Sequence, residues 1–181
     1  MSAKRYFFTV LLMFKIVGLC AAGPSSQDAS GWYQEGRDLY YGIPVQFRFF
    51  PENAQLADEV WAYLESINDG FNDYRAGSEI YTINRLNAAG DVSLSPMLAE
   101  AFRKARQAWT LSEGAFDITC APIRDLWKQA AKTGVMPSDE EVAAARKRCG
   151  MNLVAQNGTR LTRLQAGVRF DFGGIIKGII A

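Results

Sequence analysis

The strongest constraint on the fold is a change of hydrophobic period across Pro51. Before it, Val45, Phe47 and Phe49 alternate with Gln46 and Arg48, the pattern of a strand with one buried face. After it, Leu56, Val60, Leu64, Ile67 and Phe71 recur at the spacing of one helical face. Both apolar faces must be covered, so the pattern predicts that this helix packs on the strand's sheet. Asn72 to Gly77 interrupts the helix, and Ser78 can cap a shorter one carrying Ile80 and Ile83. Ser95 followed by Pro96 starts another helix, with Leu98, Phe102, Ala105 and Trp109 on its buried face and Gly114 at its end. Ser138 and Glu141 form a capping box for a helix running to Gly150. Strands around Leu153 and Leu161 flank Asn157-Gly158, a two-residue hairpin signal. A further strand-like run, Val168 to Phe172, leads into Gly173-Gly174. Residues 23–34 are small and polar, which places the start of the folded part near Glu35. Strands and helices are intermixed without repeats, so the fold class is α+β, a mixed sheet with packed helices.

Residues 1–22 read as an export signal. Lys4 and Arg5 precede an apolar run from Tyr6 to Val17, and small residues follow at Cys20, Ala21 and Ala22. Membrane association through this segment, as an uncleaved anchor or through a lipid on Cys20, is the competing reading. In an oxidising compartment Cys120 and Cys149 could pair; the alternative is two small buried thiols.

Composition narrows the chemistry. The 181 residues hold 20 basic and 19 acidic side chains, a balance that gives no footprint for nucleic acid. Histidine is absent from the sequence, which removes Ser-His-Asp triads, Cys-His pairs and imidazole acid–base catalysis. Chemistry must therefore run on carboxylates, hydroxyls, Lys, Arg, backbone groups or a bound cofactor.

Three segments stand out. In Asn72-Asp73-Tyr74-Arg75-Ala76-Gly77-Ser78-Glu79-Ile80, a polar loop presents one aromatic and one guanidinium; Tyr74 could stack on a flat ring or hydrogen-bond through its hydroxyl, or the loop could be a plain helix–helix connection. In Gly114-Ala115-Phe116-Asp117-Ile118-Thr119, small residues beside an aromatic allow close backbone approach to a ligand, and Asp117 could accept from ribose hydroxyls or a ring N–H. A helix end followed by a buried turn is the alternative there. In Phe170-Asp171-Phe172-Gly173-Gly174-Ile175-Ile176-Lys177-Gly178, a glycine pair precedes a helix start with a lysine in its first turns, an arrangement suited to phosphate; an ordinary glycine turn between strand and helix is the alternative. The order of residues matches neither G-x-x-x-x-G-K-[ST] nor G-x-G-x-x-G.

Taken in order, with Asn84, Pro122 and Trp127 between them, these segments resemble the ApbE-type FAD:protein FMN transferases from about residue 40 onward. The resemblance implies an incomplete ApbE-like domain over residues 23–181, at the periplasmic face of the inner membrane. It implies transfer of FMN from FAD to a threonine or serine of an acceptor flavoprotein, with AMP released and Mg2+ required. Tyr41, Tyr74, Ala115, Phe116, Asp117, Asp171 and Lys177 would contact FAD, and the Gly174 carbonyl would be a magnesium ligand. Tyr41-Gly42-Ile43 stands where the family usually has Met-Gly-Thr, so Tyr41 takes the methionine's place. The Asp and Thr side chains that complete the family's magnesium site fall beyond Ala181, so little transferase activity is expected of this chain alone.

Overall fold

A computed structural model describes residues 7–9, 26–27, 31–39, 43–50 and 53–180. Strands β1 (Phe7–Thr9), β2 (Ser26–Gln27), β3 (Tyr33–Leu39) and β4 (Ile43–Phe50) form one antiparallel sheet in the order β1-β4-β3-β2. Helices α1 (Ala54–Phe71) and α2 (Glu79–Arg85) follow, then β5 (Gly90–Ser93) and α3 (Pro96–Leu111). Helices α4 (Ala121–Thr133) and α5 (Asp139–Arg146) lead to the hairpin β6 (Val154–Asn157) and β7 (Arg160–Arg163), and α6 (Ile176–Ile180) comes last. A second antiparallel sheet runs β5-β7-β6. The class is α+β, as the intermixed periods predict.

The chain divides into two compact units, Met1–Ser66 and Ile67–Ala181. In the first, the β3–β4 hairpin buries Tyr33, Phe47 and Phe49 against Ala57 and Trp61 of α1. The expected strand-on-helix packing is present, with a shift of face. Leu56, Val60 and Leu64 are only partly buried, and Trp61 is the anchor, its ring 4.8 Å from that of Phe47. The indole N–H donates to Glu35 Oε1 at 2.8 Å, so burying the large ring leaves no polar group stranded. Tyr33 Oη and Arg37 also donate to Glu35. Burial pushes that carboxyl up, but these hydrogen bonds outweigh it and hold the group below its usual range. The folded part starts earlier than the expected Glu35: β2 at Ser26–Gln27 pairs with β3 from Tyr33, inside the stretch read as loop, because extended polar residues can still add a strand to the hairpin's edge.

The second unit packs α2 and α3 on the three-stranded sheet. Ile80, Ile83, Leu98, Ala101, Phe102 and Ala105 meet Val154 and Leu161 in one core. Ser78 caps α2 and Ser95 caps α3, each accepting a backbone N–H, and the Ser138–Glu141 capping box is complete. Helix α5 stops at Arg146, short of Gly150, where Arg148 N and Cys149 N bond three residues back, to Ala145 O and Arg146 O. In the hairpin Asn157 pairs with Arg160, so the two-residue turn is Gly158-Thr159. Gly158 takes the left-handed conformation (φ +58°) that this first turn position favours.

Two departures from the sequence expectations bear on the candidate site. Helix α4 is not announced by a continuous apolar stripe; its signals are Pro122 in the first turn and Gly134, at φ +71°, closing the end. The run Val168–Phe172 keeps strand-like alternation, with Val168, Phe170 and Phe172 buried, but joins no sheet. At Phe170 its backbone is held by a side chain instead. Phe170 N donates to Asn84 Oδ1 at 2.7 Å, and Asn84 Nδ2 donates to Phe170 O at 2.9 Å. Phe102 lies edge-on to both Phe170 and Phe172, with centroids 4.8 and 5.1 Å away, which anchors the extended segment in the core.

Candidate functional site

The segment 72–78 is shaped by its own polar groups. Asn72 Oδ1 accepts from the backbone N–H groups of Tyr74 and Arg75, and Ser78 Oγ donates to Asn72 O at 2.6 Å. This local closure turns Asp73 inward and leaves Tyr74 exposed. Lys128, on α4, places its ammonium 4.3 Å from the centre of the Tyr74 ring.

The segment 114–119 follows α3. Gly114, at φ +86°, returns its N–H to Trp109 O at 2.8 Å, and Phe116 N donates to Ser112 Oγ at 2.9 Å. Ala115 is exposed and Phe116 half-buried. Asp117 stitches this segment to its surroundings. Its Oδ1 accepts from Thr119 N and Oγ1, and its Oδ2 accepts from Met151 N. Further acceptance from a ligand has to use the lone pairs that remain.

The third segment is brought to the other two by Asp171. Its N–H donates to Ile118 O at 2.7 Å, and its Oδ1 accepts from Gly173 N at 2.8 Å, which sets the turn into α6. Its Oδ2 lies 2.8 Å from Arg124 Nη1. Gly174 sits against Phe116, where an added Cβ would stand 3.2 Å from Cε2. Lys177 lies exposed on α6, whose five residues supply little dipole, so an anion in this region would depend on the lysine itself. Tyr41 lies outside the described residues.

Arg124 is a centre that no sequence motif pointed to. Besides Asp171, its guanidinium meets Asp73 Oδ2 at 2.6 Å and Asp125 Oδ1 at 2.9 Å. Asp73 Oδ1 accepts from Asn84, and Asp125 Oδ2 pairs with Arg169 at 2.7 Å. Burial opposes the charge on Arg124, but hydrogen bonds to Asp73 and Asp171 and the Asp171 charge outweigh it and raise its basicity above the ordinary arginine value.

Cys120, at the start of α4, and Cys149 are both free thiols in the structure, each pushed to higher pKa by burial. A groove of about 500 Å3 lined by Pro96, Glu100, Arg103, Arg106, Gln156 and Thr159 contains none of the residues expected to contact FAD or magnesium. Among the described residues no helix is long and apolar enough to cross a membrane.

No three acidic, His or Cys side chains among the described residues gather to hold a metal. The Asp171 carboxylate beside Gly174 is already engaged by Arg124 and Gly173 N.

Residues 41–181 match the ApbE family. The chain is 29% identical over 181 residues to the FAD:protein FMN transferase of Chlamydia pneumoniae, covering 98% of this chain and 56% of that one. It is 29% identical over 129 residues to the FAD:protein FMN transferase of Vibrio cholerae, covering 70% and 39%. The solved structure of Pseudomonas stutzeri flavinyl transferase ApbE, in its apo form, superposes with a TM-score of 0.72 at 24% identity, over 86% of this chain and 50% of that one. This chain therefore spans about half the length of the relatives it matches. With a match that spans all three converging segments, the chain belongs to the ApbE family.

Proposed function

We propose that this chain carries the FAD-binding side of an FAD:protein FMN transferase. The observation that carries the reading is the convergence of segments 72–78, 114–119 and 171–174 through Arg124, Ile118 and Phe116 in an ApbE-family chain. In this reading Tyr74 and Phe116 offer aromatic surface to the flavin or adenine ring, and Ala115 allows close approach. Asp171 and Asp117 accept from ligand N–H or O–H groups, and Lys177 faces the diphosphate. Tyr41 is assigned to the same site by its position in the family pattern.

The reaction is a phosphoryl transfer. A threonine or serine hydroxyl of an acceptor flavoprotein attacks the FMN phosphorus of FAD, the new O–P bond forms, the diphosphate bridge breaks and AMP leaves. The hydroxyl proton is released. Positioning and charge neutralisation dominate such reactions. Magnesium is the ion expected to supply that neutralisation, and the Gly174 carbonyl offers only one of the roughly six oxygens it needs. We therefore propose that the 181-residue chain binds FAD yet transfers little FMN by itself. Export to the periplasmic face of the membrane is the matching location, tested by fractionating cells that express the full chain.

The test combines FAD titration with intact-mass spectrometry, using the chain, FAD, Mg2+ and an acceptor with a target threonine. FAD binding without a mass gain is the expected result. A mass gain on the acceptor would establish the enzyme and overturn the proposed insufficiency of its metal donors. A folded chain that binds no FAD would refute the reading. If FAD binds and a longer version of the protein also transfers nothing, the chain is a non-catalytic flavin-binding module.

A further inference from the structure

We propose that Arg124 is a positioning residue for flavin binding, acting through Asp171. This inference rests on the proposed FAD site and goes beyond it, because Arg124 is not among the residues assigned to contact FAD. Asp171 has its two carboxylate oxygens held from different sides. Gly173 N, at 2.8 Å, fixes Oδ1 from the segment's own turn, and Arg124 Nη1, also at 2.8 Å, fixes Oδ2 from α4. Two separate donors leave the carboxylate little rotational freedom, so its orientation, and with it the Gly173-Gly174 turn, is set before any ligand arrives.

The same guanidinium bridges to Asp73, the residue before Tyr74, at 2.6 Å. Arg124 thereby ties the segment bearing Tyr74 to the segment bearing Asp171. Its fork geometry is what allows this: Nη1 serves Asp171, while Nη2 serves Asp73 and Asp125. A lysine offers one nitrogen and cannot span the set. Without the guanidinium, Asp73, Asp125 and Asp171 would face one another, with Arg169 paired to Asp125, and repulsion would turn Asp171 away.

The experiment is a double-mutant cycle read in FAD affinity, using the full chain with Arg124→Met, Asp171→Asn and the pair, and with Arg124→Lys as a variant that keeps the charge. Asn84 Nδ2 still holds Asp73 in every variant, so if Arg124 acts through Asp171, Arg124→Met weakens FAD binding at least ten-fold in the native background and less than two-fold once Asp171 is Asn. Arg124→Lys gives a loss between those of the native chain and Arg124→Met, and it keeps the experiment readable if the methionine variant does not fold. An unchanged affinity in Arg124→Met overturns the inference. So do losses that multiply in the pair, since a residue that only supports the fold would weaken binding whatever stands at position 171. When Arg124→Met cannot be purified folded, an affinity for Arg124→Lys within two-fold of native overturns it. If the unmodified chain is folded and binds no FAD, the site assignment itself fails and the inference falls with it; that result differs from every result in which the unmodified chain binds.

Discussion

Replacing Asn84 with leucine tests how the segment that carries Asp171 is held. Asn84 is buried, and it makes both hydrogen bonds of the Phe170 backbone, N–H to Oδ1 at 2.7 Å and Nδ2 to the carbonyl at 2.9 Å. Phe170 is itself fully buried, so neither group can turn to solvent. Leucine matches the side chain in size and leaves no space for a substituting water. Each stranded backbone group costs about 1–3 kcal/mol, giving a loss of about 2–6 kcal/mol for the pair. The bond from Asn84 to Asp73 disappears as well, but Asp73 retains Arg124, so that change adds little. With a urea m-value of about 2 kcal/mol per molar, the midpoint of unfolding should fall by about 1–3 M. Asn84→Asp should be at least as damaging, because the second oxygen would face both Phe170 O and the Asp73 carboxylate. The assay is urea denaturation followed by far-UV circular dichroism, with equal m-values checked between variants. A midpoint shift under about 0.5 M for Asn84→Leu would refute the claim that this side chain replaces a sheet ladder.

Other consequences follow from the same geometry. Ser138→Ala removes one half of the capping box of α5 and should cost about 1 kcal/mol in urea unfolding. Gly150→Ala forces an L side chain into φ +140° and sets its Cβ against the Asn152 side chain. It should destabilise by about 1–3 kcal/mol, read as a lowered thermal midpoint. Glu35 titrates below its ordinary value in the folded hairpin, so it adds stability above its unfolded pKa, and that contribution is lost as pH falls through the lower folded value. The native chain should therefore lose stability on acidification below pH 4.5, and Glu35→Gln should show a shallower acid slope in melts across the same range.

The parts of the fold written in local patterns were readable, and those written in tertiary pairing were not. Helices α1, α2, α3 and α5 carry their stripes or caps in the sequence. The alternation in β4 and the position of the β6–β7 hairpin are legible for the same reason. The turn slipped by one residue because Asn157 could close the strand or open the turn, and the pairing with Arg160 decides it. Val168–Phe172 looked like a strand because its burial does alternate. Whether an extended segment finds a strand or an asparagine as its partner is decided 86 residues away in sequence. Trp61 was hidden because the stripe of leucines and valines beside it has the same period, and its indole needed Glu35 before burial became favourable.

The candidate site divides along the same line. Tyr74, Phe116, Asp171 and Gly174 could be named from motifs, and the structure brings them into one region. Asp117 was named for its chemistry and spends much of it on Thr119 and Met151. Arg124 carried no motif at all. Its importance comes from three carboxylates, two of them far along the chain, and no local spacing records that meeting.

The proposed flavin site stands or falls on titration of the purified chain with FAD, followed by isothermal calorimetry and flavin fluorescence and repeated with Asp171→Asn. Saturable one-to-one binding by the native chain, and clearly weaker binding by the variant, is the expected outcome. A well-folded native chain that shows no saturable FAD binding, or an Asp171→Asn variant that binds as tightly as the native chain, would contradict the assignment.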